Sequence, residues 1–240
     1  MDDPRPADRI ASAGWPAGPP RPPEPTGGVH LWIAALEATE WPAPDGLPSA
    51  ERRRAGRILR PESAARWAGS RWALRTVLAR YLDEEPAAIA LGVSELGKPR
   101  LDGNPVRLEF NLSHSGALAL IAVASGREVG VDVEKTEPGR DFVALAERSF
   151  DPAAAEAVRA AAPEQRSGVF YAAWARHEAL AKCDGGGLAG RSRELRMATA
   201  AVDVGAGYAA ALAVAAAAVP PLHKWSIEPP APAPVANLQR

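Results

Sequence analysis

Asp132 and Glu134 stand two residues apart, alternating with Val131 and Val133, in the run Val129 to Glu134. In a strand successive side chains alternate between faces, so Gly130, Asp132 and Glu134 share one face and Val129, Val131 and Val133 the other. Two carboxylates then project together, roughly 6–7 Å apart along the strand. That is half a site for a hard divalent cation such as magnesium, which takes oxygen ligands. A second group of polar residues, Asn111-Leu112-Ser113-His114-Ser115-Gly116, crowds the end of another predicted strand. Neighbours on extended backbone point apart, so Ser113 and His114 do not form a nucleophile–base pair. His114 fits a hydrogen-bond donor to an anion, or a satisfied structural group. In Trp174-Ala175-Arg176-His177-Glu178-Ala179-Leu180-Ala181-Lys182, helical spacing puts Trp174, Glu178 and Lys182 on one face. Read alone, Glu178 and Lys182 are an ordinary i,i+4 ion pair. Read with Asp132 and Glu134, Glu178 is a candidate third carboxylate for a metal.

Cations are concentrated elsewhere. Residues 51–75 contain Arg52, Arg53, Arg54, Arg57, Arg60, Arg66, Arg71 and Arg75 against two acids, Glu51 and Glu62. The arginine fork matches phosphate, although a solvated helix face has the same composition. Lys98 lies on a glycine/proline turn, Gly97-Lys98-Pro99.

The elements that must position these groups are readable from periodicity. Val29 to Ile33 reads as a strand. Residues 49–60 and 62–82 read as two helices broken at Pro61, with Trp67, Leu74, Leu78 and Tyr81 forming an apolar stripe in the second. Leu108 to Leu112 alternates as a strand, and Ala117 to Ala124 is an apolar run of buried-strand length. Residues 165–183 read as a helix stopped by Gly185-Gly186-Gly187. Residues 208–219 are alanine-rich and ambiguous, and read as a strand closed by Pro220-Pro221.

With 240 residues the chain is long enough for one large domain or two of about 100 residues. Its net charge of −1 provides no global field for nucleic acid or an anionic membrane. Cys183 is the single cysteine, which excludes an internal disulfide and fits a reducing, cytoplasmic setting. No apolar run reaches membrane-spanning length, and no signal peptide is evident. Eight prolines and four glycines in residues 1–28 predict a disordered lead, and residues 229–240, with four prolines, predict a flexible tail.

Taken together, Gly97-Lys98-Pro99, FNLSHSG at 110–116, GVDVEKTEP at 130–138, the W-x-x-x-E-A-x-x-K helix at 174–182 and the Gly185–Gly190 run with Leu188 resemble the 4′-phosphopantetheinyl transferases of the surfactin-synthetase-activating type, in order and spacing, from about residue 49 to 219. The resemblance implies an α+β fold of two similar α/β halves related by a pseudo-twofold, with a ligand cleft between them. The halves would be residues 29–127, binding the coenzyme A phosphates, and 128–228, carrying the metal and the chemistry. It implies transfer of the phosphopantetheine arm of coenzyme A to a serine of an apo acyl or peptidyl carrier protein. Magnesium would be required and adenosine 3′,5′-bisphosphate released.

By position, the resemblance gives Asp132, Glu134 and Glu178 to the metal and Glu178 and Lys182 to catalysis. It gives Arg54, Lys98, Pro99, Ser113 and His114 to coenzyme A, and it implies a monomer. Fatty-acid, polyketide and nonribosomal-peptide carriers all stay open. The sequence departs from the pattern at Glu51, where some members carry a cation, at Trp67, where members can have a small hydroxylated residue, and at His177, usually lysine. Two other readings account for part of the pattern: a metal-dependent phosphodiesterase or carrier-protein hydrolase, and a non-enzymatic anion binder using the arginines.

Overall fold

The computed structural model describes residues 14–36, 41–94, 97–103, 107–185 and 196–230. Its largest sheet holds β1 (Val29–Ala35), β4 (Leu108–Ser115), β5 (Leu118–Ser125) and β9 (Leu222–Ser226) in the order β4-β5-β1-β9. β5 runs antiparallel to both β1 and β4, and β9 joins β1 in parallel. A second sheet orders β6 (Val129–Lys135), β8 (Tyr208–Val214) and β7 (Ala198–Ala201) as β6-β8-β7. A two-stranded hairpin, β2 (Leu91–Val93) with β3 (Pro99–Leu101), carries Lys98 on its turn side.

Alternation along β1 and β5 builds two cores at once. Trp32, Ala34, Ala119, Ile121 and Val123 face Trp72, Leu74, Val77 and Leu78 of helix α2 (Pro61–Leu82). Leu31, Ile33, Leu118, Leu120 and Ala122 face Val129, Val131, Val133, Leu212 and Val214 of the second sheet. Strands buried on both faces read as unbroken apolar runs, which is why Ala117 to Ala124 has that form. Beyond the second sheet lies helix α5 (Arg166–Asp184), whose Ala175, Ala179 and Cys183 pack on Ala211 and Ala213. The result is layered as helix, sheet, sheet, helix, an α+β architecture.

Helix ends follow their capping chemistry. α2 opens with Pro61 at its first position, and Arg60 before it is held extended. The preceding helix α1 (Ser49–Ala55) therefore stops at Gly56, short of the expected residue 60. Asp141 and Asp151 accept from Ala144 and Ala154 amides and cap α3 (Phe142–Ser149) and α4 (Pro152–Ala160). α5 ends at Gly185 with φ 75°, a left-handed conformation suited to glycine. The rest of the expected 185–190 glycine run lies outside the described residues.

Two features bear on the expected boundaries. Residues 14–28, placed by composition in a disordered lead, form a strap across both sheets. Trp15 is buried and donates its indole N–H to the Asp203 carbonyl, and Arg80 donates to the Gly18 and Pro19 carbonyls. Proline-rich backbone has few donors for a sheet, so the strap makes one short backbone bridge, with the Gly18 amide donating to the Ser226 carbonyl and the Ser226 amide to the Pro16 carbonyl, and is otherwise held by its aromatic anchor and by side-chain donors from its neighbours. The split at 127/128 is crossed by β9, which returns to pair with β1 because it completes that sheet's edge. The ambiguous 208–219 run forms strand β8 over Tyr208–Val214. Among the described residues no helix is long and apolar enough to cross a membrane.

Candidate active site

The site lies at the seam where β4 meets β6. Asn111, Ser113 and Ser115 alternate on the β4 face turned toward β6. Their side-chain oxygens accept the amides of Val131 (3.0 Å), Val133 (3.3 Å) and Lys135 (3.1 Å). Side chains thus satisfy backbone donors on the edge of β6 away from β8. The two hydroxyls pass their own protons onward. Ser113 donates to Asp132 Oδ1 at 2.8 Å, and Ser115 donates to Glu134 Oε2 at 2.9 Å. Each acid expected on the shared face of β6 is therefore oriented by a serine of β4. His114 points to the other face and is exposed, as strand alternation requires.

Gly130, the remaining member of that face, explains how α5 reaches the acids. A Cβ at residue 130 would collide with the Ala179 carbonyl and the Cys183 amide, so only glycine lets the helix lie on the strand. This contact puts Lys182 over Asp132. Its ammonium donates to Asp132 Oδ1 at 2.6 Å and to Ser113 Oγ at 3.0 Å. Glu178, one turn earlier, is half-buried.

Burial shapes the charge states. The Asp132 side chain is 4% exposed, and Oδ2 is buried without a hydrogen-bond partner. Loss of hydration raises its pKa, against which Lys182, Ser113 and the Val133 amide work. Glu134 is raised by burial and then by the Asp132 charge. The protein around His114 strips hydration even though its edge meets solvent. That desolvation, followed by the Lys182 and Arg71 charges, lowers its pKa, so neutral imidazole is favoured.

The donor set fits a hard cation in part. Asp132 and Glu134 provide oxygen ligands, one oxygen of Asp132 is orphaned, and the Asp132 charge raises the cost of charging Glu134. Among the described residues no group of three or more His, Cys, Asp or Glu is arranged to hold a metal, so the Asp132–Glu134 pair would need further oxygen ligands. Lys182, not Glu178, meets Asp132.

The remaining candidates divide. Lys98 points inward and donates to Glu128 (2.5 Å) and the Val129 carbonyl (3.0 Å), beside the start of β6. Pro99 begins β3 opposite Val93. The arginine cluster is split by Glu51, the residue at which the sequence departs from the resemblance. Glu51 accepts from Arg71 and Arg75 at 2.7 Å each and pins α1 to α2. Arg75 also donates to the Pro86 and Ile89 carbonyls, so these two arginines serve the fold. Arg54 stands exposed at the end of α1, 6.0 Å above the Trp67 ring. No hydrogen bond or ion pair among the described residues joins Arg54 to the Ser113–Asp132–Lys182 group. His177 is exposed and stacks with Trp174. Sequence reading missed Asn111, Ser115, Glu128 and the structural role of Gly130. The period-2 spacing of Asn111, Ser113 and Ser115 is the signal that pointed to the first two.

A cleft of about 550 Å³ opens at the end of β6. Glu134, Ser115 and Arg66 border it, and Leu145, Phe170, Tyr171 and Trp174 give it an apolar wall.

With this geometry in place, the chain's relatives are informative. The family described as the 4′-phosphopantetheinyl transferase superfamily matches residues 128–219. The 4′-phosphopantetheinyl transferase HetI of Nostoc sp. is 38% identical over 166 residues, covering 67% of this chain and 70% of that protein. The 4′-phosphopantetheinyl transferase of Bacillus subtilis is 36% identical over 141 residues, 58% of this chain and 61% of its own length. The human L-aminoadipate-semialdehyde dehydrogenase-phosphopantetheinyl transferase is 31% identical over 148 residues, 58% of this chain and 48% of its own. The chain belongs to the 4′-phosphopantetheinyl transferase superfamily and is an enzyme of that class.

Proposed function

We propose that this protein transfers the 4′-phosphopantetheine arm of coenzyme A to a serine hydroxyl of an apo acyl or peptidyl carrier protein and releases adenosine 3′,5′-bisphosphate. The observation that carries this reading is the convergence of Asp132, Glu134, Ser113 and Lys182 at one seam beside a cleft. Asp132, Glu134 and Glu178 are the residues we assign to magnesium. When bound, that ion neutralises phosphate charge as it shifts onto the leaving group.

The chain's own groups divide the remaining work. Glu178 takes the proton of the attacking serine, directly or through a water. Lys182 donates to the oxygen that leaves. His114, Ser113, Lys98 and Arg54 bind the phosphates, and Pro99 shapes the turn that presents Lys98. The apolar wall of Phe170, Tyr171 and Trp174 suits the pantetheine arm, which has few charges to satisfy. We assign the exposed arginines of α1 to guidance of an acidic carrier, and the working state to a cytoplasmic monomer in which the buried Cys183 stays a thiol.

The test is the intact mass of an apo carrier protein after incubation with this protein, coenzyme A and magnesium. One added phosphopantetheine arm is expected, absent with chelator and absent in a carrier serine→Ala control. No gain across fatty-acid, polyketide and peptide carriers would overturn the reading.

A further inference from the structure

Lys182 holds the charge position that a cation on Asp132 would hold. Asp132 is almost fully buried, and a buried carboxylate left unpaired is costly, so some positive charge must stay beside it. The ammonium supplies it through a 2.6 Å contact to Oδ1, while Oδ2 has no partner. Asp132 is thus partnered on one oxygen and buried without a partner on the other. The two partners differ in freedom. Asp132 has a short side chain, 4% exposed, on strand β6, whereas the Lys182 side chain is 30% exposed and has a flexible four-carbon stem. The Gly130 contact keeps the α5 backbone in place, so withdrawal of the ammonium is a change of side-chain rotamer. Glu178, four residues earlier on the same helix face, is an acid toward which the ammonium can swing.

We propose that Lys182 is a placeholder cation: it neutralises Asp132 in the metal-free protein and vacates Asp132 Oδ1 when a divalent cation arrives, which frees the ammonium for a phosphate. The proposal rests on the metal reading above and adds a second role for Lys182, a gating one. Magnesium must compete with a tethered charge, so the free protein resists metal capture.

The experiment is a magnesium titration by calorimetry without coenzyme A, on the wild type and on Lys182→Met. Methionine keeps the length of the stem and removes the charge. The variant is expected to bind magnesium at least about tenfold more tightly, the scale set by removing a like charge a few ångströms away. In parallel, an amine-acylating reagent with mass readout follows Lys182 in the wild type. Labelling is expected to rise severalfold on adding magnesium, and in Asp132→Asn to be fast without it. Binding by the wild type with equal or weaker binding by Lys182→Met would overturn the placeholder role and leave the metal site standing. No magnesium binding by either protein would overturn both. Should Lys182→Met fail to fold, unchanged wild-type labelling on adding magnesium overturns the proposal.

Discussion

The backbone of Cys183 lies directly on Gly130, with no room for a side chain between helix and strand. This contact sets the height of α5 above β6, and with it the distance from Lys182 to Asp132. The Val-Gly-Val-Asp run therefore carries its glycine for packing and, two residues on along the same face, the aspartate that we assign to the metal.

Gly130→Ala tests that link. The added methyl meets backbone, which cannot rotate away, so α5 must shift. A stability loss of about 1–3 kcal/mol is expected, the usual cost of overpacking a core. Turnover should fall more than stability alone explains, because Glu178 and Lys182 move with the helix. Urea denaturation and carrier-modification rate, measured on the same preparation, separate the two effects. Normal turnover in a destabilised variant would show that the site tolerates displacement of α5.

Glu178→Gln tests the assignment of the base. The amide keeps size and polarity but accepts no proton. A loss of about 10²–10⁴-fold in turnover is expected, with coenzyme A binding changed by only a few fold. Single-turnover kinetics with a saturating carrier protein and calorimetry with coenzyme A provide the two readouts. Near-normal turnover would remove Glu178 from catalysis.

Glu51→Ala tests the clamp between α1 and α2. The Glu51 side chain is 12% exposed, and those of Arg71 and Arg75 are 13% and 3% exposed, so removing the acid strands two largely buried guanidinium groups. A cost of about 3–5 kcal/mol is expected. Thermal unfolding measures it directly. A change below about 1 kcal/mol would mean that the arginines find other acceptors, which would class the clamp with weak surface pairs.

His30 predicts a pH dependence of stability. It is buried against Tyr81, Trp225 and His223, and its Nδ1 lies 2.8 Å from the Tyr81 hydroxyl. Burial, and then the nearby His223, lower its pKa from 6.5 to about 4. The folded-state value is below the unfolded one, so the unfolded chain takes up the proton first as pH falls. The stabilisation is complete above pH 6.5 and is lost progressively down to about 4. The loss approaches about 3 kcal/mol at the acid end. His30→Gln should flatten this part of the curve relative to wild type. Parallel curves from pH 7 to 4 would show that His30 does not titrate in that window.

Much of strand β6 and of β4 was legible in the sequence, because a strand's two-residue period is a property of its backbone and needs no partner to be read. Asp132 and Glu134 on one face, the valines on the other, and the separation of Ser113 from His114 all follow from it. Helix α5 was legible for the same reason, with Trp174, Glu178 and Lys182 in one line. Pro61 and Gly185 punctuated the helices by the φ angles they impose or permit. Composition misled for residues 14–28, because a proline-rich segment with one tryptophan is disordered or docked depending on whether a surface exists to receive Trp15.

What only the tertiary structure decided is which distant groups meet. Lys182 contacts an acid 50 residues away in the chain, Ser115 orients Glu134 across 19, and Glu51 gathers arginines 20 and 24 residues ahead. β9 crosses the expected domain boundary to reach β1. Periodicity and residue type report what one element presents to its surroundings. Partnerships between elements depend on how sheets and helices stack to bury their apolar faces, and that stacking is a property of the whole chain, not of any one segment.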